Sequence, residues 1–434
     1  MKLFKNFANR LWIHLDSRQS LLFIILSGFT LRIIWWAYAQ PVPVSDFETY
    51  RLLAQGILEH GQFGVPAPTA YRLPGYPSFL ALLIAINEST AWLGFVSVIL
   101  STALIYFVYQ LAFQLTLERP ISGIASLICS LNPTFIFFSP VLASEHLSIL
   151  LLVSVFLVLI LEKSKQPSLR AGRLILAGLL FGAAVLTRAD NLFYLPVVLG
   201  ASYLSLKEVS GKKTLVLIPL LSFTMVIAPW YIRNYHVIGP GSGLSTSGGV
   251  NFYYAHNGNH YGWHSIEGSL LEEKNEAEQQ KILYRLGFEY LARADIFDIL
   301  KDLALGTAQL YLYPGTYSVH WSTRLPNIEP DMPFPAKSLS GIQPLKWVTL
   351  LYLPILLLSI LSWIFFKKYL FKTWFCLYGL VFMNWVGYAW IFWGKARYRF
   401  VSEVAFCILA SFIVHYLLKK HVLPMIRLDE SRTS

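Results

Sequence analysis

The chain has 434 residues, 55% of them hydrophobic and 14% charged, with a formal net charge of +11. Its apolar residues gather into repeated runs of about 18 or more, which excludes a soluble globule and fits an all-α polytopic membrane protein. The basic excess suits attraction to anionic lipid at one membrane surface, and nucleic-acid binding is not indicated.

In chain order, MKLFKNFANRLWIHLDSRQS leads into the first apolar run without a small-residue cleavage pattern, so the span at 20–39 is expected to remain as an anchor. Arg32 lies inside it and needs an internal partner that the sequence does not identify. Loop 1, residues 40–76, follows, with a short surface helix around Gln55–His60. Gly75–Ile86 comes after a Pro-Gly-Tyr-Pro turn and covers only about half a bilayer, so an interfacial or re-entrant helix is expected there. Further spans are expected near 90–115, 121–139, 142–162, 172–188, 190–206 and 214–233. A long loop, 234–344, opens on a Gly-, Ser- and aromatic-rich stretch that suits a binding loop. It continues into one amphipathic helix with the stripe Leu283, Leu286, Tyr290, Ala294, Phe297 and Leu300, expected to lie on the membrane. The Pro-rich LPNIEPDMPFP then precedes spans near 345–366, 372–392 and 400–418, making about ten in all. Three parts result: an N-terminal module 1–233, the loop 234–344, and the C-terminal spans 345–434. Cys129, Cys376 and Cys407 fall inside spans without paired spacing, so neither a disulfide framework nor a zinc site is indicated.

Orientation follows from Lys and Arg. With the N-terminus inside, the short cytoplasmic segments hold 19 of the 35 basic residues. The short loops opposite hold only Arg51, Arg72, Arg188, Lys395, Arg397 and Arg399. Both termini are therefore expected in the cytoplasm, with loops 1 and 234–344 outside.

That outer edge collects the chemistry. Asp46, just past the first span, is placed to take a proton from an acceptor hydroxyl or amine, and it equally suits capping of a surface helix. Asp46 and Glu48 together would be a weak site for a divalent cation. Arg72, Arg188, Arg233, Arg397 and Arg399 fall on the same side, where converging guanidinium groups bind a phosphate or diphosphate by forked hydrogen bonds. Singly, each arginine also suits snorkelling at the interface. Glu145 and His146 in ASEHL, and Asp190 in LTRADN, are candidate partners that orient them.

Several blocks carry a resemblance: D-x-x-x-Y-x-x-x-A from Asp46 to Ala54, YRLPGYPSFLALL, ASEHL, GLLFGAAVLTRADN, APWYIRNYHVIG with STSGGVNFYYAHN, and the late RYRF. Together and in order they resemble bacterial GT-C glycosyltransferases of family 39, the dolichyl-phosphate-mannose-protein mannosyltransferase-like group that includes aminoarabinose transferases. The resemblance implies a GT-C fold, a polyprenyl-phosphate-linked sugar donor, a lipid, glycan or protein acceptor, and inverting transfer on the outer face of a bacterial inner membrane. It makes Asp46 the catalytic base and puts Arg72, Arg188, Arg397 and Arg399 in blocks around the donor phosphate. Departures are the missing proline near Asp295 and the Val-Ser-Glu that follows RYRF where a proline is usual. No nucleotide-binding glycine loop appears on the cytoplasmic side, which disfavours a nucleotide-sugar donor. The rivals are a lipid-linked sugar flippase, which needs polar residues at mid-span, and a ligase or polymerase that uses a diphosphate-linked glycan.

Overall fold

The computed structural model describes residues 18–160, 167–206, 212–258, 271–272, 274–312, 352–365, 369 and 371–422. The Pro-rich 325–335 and the first residues of the expected span 345–366 lie outside them. Among the described residues the regular structure is helical throughout. In chain order the helices are α1 (Arg18–Ala39), α2 (Asp46–His60), α3 (Gly75–Ile84), α4 (Thr90–Thr116), α5 (Arg119–Leu131), α6 (Pro133–Phe138), α7 (Glu145–Ile160) and α8 (Pro167–Thr187). Then come α9 (Leu195–Ser205), α10 (Leu217–Val237), α11 (Gly248–Ala255), α12 (Glu276–Arg293), α13 (Ile296–Tyr311), α14 (Tyr352–Leu361), α15 (Phe371–Trp385) and α16 (Phe400–Leu417). Among the described residues, five helical stretches are long and apolar enough to cross a membrane: Gln19–Ala39, Thr90–Thr116, Arg170–Thr187, Phe371–Ile391 and Ala396–Lys420.

Burial orders the bundle. The Ala396–Lys420 stretch is 78% buried and apolar all round, so α16 forms the centre, packed by α5, α14 and α15. The α1 stretch is only 22% buried and forms the rim against α4 and α5. Arg32 of α1 finds its partners inside the protein: Nε donates to Ser101 Oγ at 2.9 Å, and Nη1 to the carbonyls of Gly28 and Ser130 at 3.0 and 3.1 Å. Helices α8 and α10 pack closely because Gly178 and Gly182, four residues apart, present bare backbone to Pro219, Ser222 and Val226. A Cβ on Gly178 would sit 2.0 Å from Ser222 Oγ.

Some expected spans are not continuous helices. The one at 121–139 breaks between α5 and α6, because Pro133 cannot continue the ladder and Asn132 caps α6 through Thr134 N–H at 2.9 Å. The one at 190–206 opens as the 3-10 turn Ala189–Tyr194, and the one at 372–392 ends in the wider π turn Val386–Ile391. The single amphipathic helix is in fact two, α12 and α13. Asp295, in extended backbone, caps α13 by accepting from Asp298 N–H at 2.9 Å, so the stripe is interrupted: Leu283 is buried while Phe297 is 77% exposed.

Three contacts position the loops. Gly75 lies so close to Leu186 and Thr187 that an added Cβ would be 2.7 Å from Thr187 N, which brings the Arg72 segment against the end of α8. Glu276, at the start of α12, accepts from Ala70 N–H and Thr246 Oγ1 at 2.9 Å each, tying the long loop to loop 1. Trp393 N–H donates to Asn251 O at 3.0 Å and ties α11 to the segment after the π turn.

Candidate active site

The expected site residues come from five segments: loop 1, the start of α7, the α8–α9 turn, the end of α10 and the 3-10 turn Ala396–Arg399. The five guanidinium groups do not all converge. Arg72, Arg188 and Arg397 meet in an alternating chain of charges. Asp46 Oδ1 accepts from Arg72, and its Oδ2 accepts from Arg397 Nη2 at 2.8 Å. Glu145 Oε1 lies 3.5 Å from Arg397 Nε and 2.8 Å from Arg188 Nη1, an ion pair with each but out of line for a hydrogen bond. Arg188 then donates through Nε and Nη2 to Asp190 at 3.1 to 3.2 Å. Tyr388 also donates to Asp190, and Arg188 Nη1 reaches Ser144 Oγ at 3.2 Å.

Aromatic rings frame these charges. Arg72 lies over the rings of Tyr71 and Tyr50, and Arg397 over Tyr398 at 5.0 Å. Tyr398 stacks on Tyr388 at 4.6 Å with ring planes 2° apart. Burial alone would push the Asp46 carboxyl upward, but the charges of Arg397 and Arg72, with the Arg397 hydrogen bond, outweigh it and hold the group below the usual carboxylate range.

Asp46 is the first residue of α2, yet its side chain does not cap that helix. The cap position belongs to Ser45, which makes no side-chain cap bond. Glu48 pairs with Arg51 at 2.9 Å, one turn along α2. The two carboxylates thus face different arginines, and among the described residues no group of three or more His, Cys, Asp or Glu is placed to hold a metal.

Two arginines stand apart. Arg233 donates to the Thr69 and Phe63 carbonyls at 2.7 and 3.1 Å, clamping loop 1 to the end of α10. Arg399 is fully buried, where it donates to Glu403 Oε1 at 2.5 Å and lies over the Tyr352 ring at 3.8 Å. Glu403 belongs to the Val-Ser-Glu that follows RYRF, so that segment supplies the partner. His146 is buried edge-on against Phe400, with no hydrogen bond to the arginines.

Lys395 joins the site unannounced. Its ammonium lies 4.0 Å from the Trp393 ring centroid, and burial, with the repulsion of Arg397, brings its pKa down to about 7. The run Lys-Ala-Arg-Tyr-Arg at 395–399 carried the signal, since three basic residues at a span edge fall within one turn. Tyr388 had no such signal, because tyrosines abound in this chain.

No protein-family model matches the chain, and no curated protein matches it in sequence. Solved structures do match. The oligosaccharyltransferase of Archaeoglobus fulgidus in complex with Zn and sulfate is 14% identical, with a TM-score of 0.53 over 92% of this chain and 49% of that one. Its apo form is 15% identical with a TM-score of 0.48, covering 94% and 51%. ArnT from Cupriavidus metallidurans, bound to undecaprenyl phosphate, is 9% identical with a TM-score of 0.47, covering 92% and 78%. The chain spans about half the length of the oligosaccharyltransferase. The likeness at 0.53 shows a shared fold with the part of the oligosaccharyltransferase that the chain covers.

Proposed function

We propose that this chain is an inverting glycosyltransferase that moves a sugar from a polyprenyl-phosphate donor to a lipid, glycan or protein acceptor at the outer face of a bacterial inner membrane. What supports the reading is one juxtaposition: a partly exposed carboxylate, Asp46, between the guanidinium groups of Arg72 and Arg397. Transfer needs both parts. The acceptor hydroxyl gives its proton to Asp46 while its oxygen bonds to the anomeric carbon. The bond from that carbon to the phosphate oxygen breaks, and its electron pair leaves on the phosphate. Arg72, Arg188 and Arg397 stabilise that charge, so the leaving group needs no acid. One displacement inverts the anomeric centre.

The test is sugar transfer in membranes containing Asp46→Asn, which keeps shape and loses proton-accepting power. Transfer is expected to fall by roughly 10²-fold or more with expression unchanged. Near-normal transfer would remove Asp46 as the base.

A further inference from the structure

Asp46 sits where an anion belongs. Its two oxygens take one guanidinium each from loop 1 and from the Ala396–Arg399 turn. Those arginines still have hydrogen bonds to give, for the buried Nε–H groups of Arg72 and Arg397 make none, Arg397 Nε having only its 3.5 Å ion pair with Glu145. A flat carboxylate cannot reach them as well as its present partners, whereas a tetrahedral phosphate, with oxygens out of one plane, can. The charges along the chain from Arg72 to Asp190 also balance, three cations against three carboxylates. Beyond that row the site adds Lys395, a single partly charged ammonium, so a phosphate carrying up to two charges is fully neutralised there when a carboxylate gives way.

Asp46 is the carboxylate built to move. Its side chain is 27% exposed, against 3% for Glu145 and 18% for Asp190. It also follows Ser45, whose φ of 51° and ψ of −122° form a conformation that residues other than glycine rarely hold.

Resting on the reading of these arginines as the donor-phosphate site, we propose that Asp46 is a stand-in for the donor phosphate in the empty protein. The arriving phosphate takes Arg72 and Arg397 from it, and the freed carboxylate becomes the base for the acceptor. Donor binding then has to precede acceptor activation. Paired with two guanidinium groups the carboxylate is a poor proton acceptor, and separation from them restores its basicity. Water and acceptor alike meet a disarmed base until the donor is seated.

The experiment is the affinity of undecaprenyl phosphate for the purified full chain in lipid nanodiscs. Asp46→Asn is expected to bind about tenfold more tightly than the wild type, since the internal competitor is gone. Glu48→Gln removes a charge two residues away that rests on Arg51, and it is expected to stay within about twofold. Unchanged or weaker binding by Asp46→Asn overturns the proposal and leaves the donor-site reading standing. Equal tightening by both variants overturns it too, because general charge then accounts for the effect. Wild-type affinity retained in both Arg72→Lys and Arg397→Lys brings down the donor-site reading itself. Asp46→Ser, with no carboxylate and a smaller side chain, repeats the measurement should the asparagine variant fail to fold.

Discussion

Lys395 gives the site a titration of its own. Its pKa is lowered from the ordinary lysine value to about 7, so the ammonium is charged below that pH and neutral above it. The part of the phosphate affinity that the Lys395 ammonium supplies is expected to fade as pH rises through about 7. Lys395→Met should flatten that dependence by weakening binding at pH 6 while leaving it unchanged at pH 9, as measured with undecaprenyl phosphate. Arginine exchanges separate roles that the sequence left merged. Arg72→Lys and Arg397→Lys are expected to lose roughly tenfold in phosphate affinity, because an ammonium cannot span two acceptors as a guanidinium fork does. Arg233→Lys should instead loosen loop 1, with its effect read as faster proteolysis near Phe63–Thr69. The sequence puts all five arginines at one membrane edge, which is as far as charge and topology reach. Whether a side chain turns toward a cavity or toward a carbonyl depends on its neighbours from distant segments, such as Phe63 and Thr69 for Arg233.

Among elements, helix length was more legible than helix continuity. The spans at 20–39 and 90–115 coincide with α1 and α4 because about 20 apolar residues leave a helix few alternatives in lipid. The break at Asn132–Pro133 was printed in the residues and hidden by the apolar window around it. Asp295, three residues before Asp298, likewise carried the cap signal that divides α12 from α13. The π turn at Val386–Ile391 had no local signal, since it answers to Phe193, whose ring lies where a Cβ on Gly387 would go. The pair Gly178 and Gly182 yields a direct test. Gly178→Val is expected to wedge α8 from α10 and destabilise the protein by about 1–3 kcal/mol or more, lowering the melting temperature in detergent. Glu403→Gln leaves the Arg399 guanidinium buried without its counter-charge and is expected to cost about 3–5 kcal/mol by the same assay.

For the whole molecule, the positive-inside argument puts both loops on one side. Cysteines introduced for Gln62 and Asn257 should react with a membrane-impermeant reagent added outside, and labelling only after permeabilisation would invert the topology. The described parts of the two loops are joined, for Glu276 and Trp393 fasten the long loop to loop 1 and to the segment before the turn that carries Arg397. The balanced row of charges bears on biogenesis. A cell must thread this chain into a bilayer before any ligand is at hand, and three naked guanidinium groups at the membrane edge would resist that step. Because Asp46, Glu145 and Asp190 already answer them, the newly made protein can close around an empty site and wait.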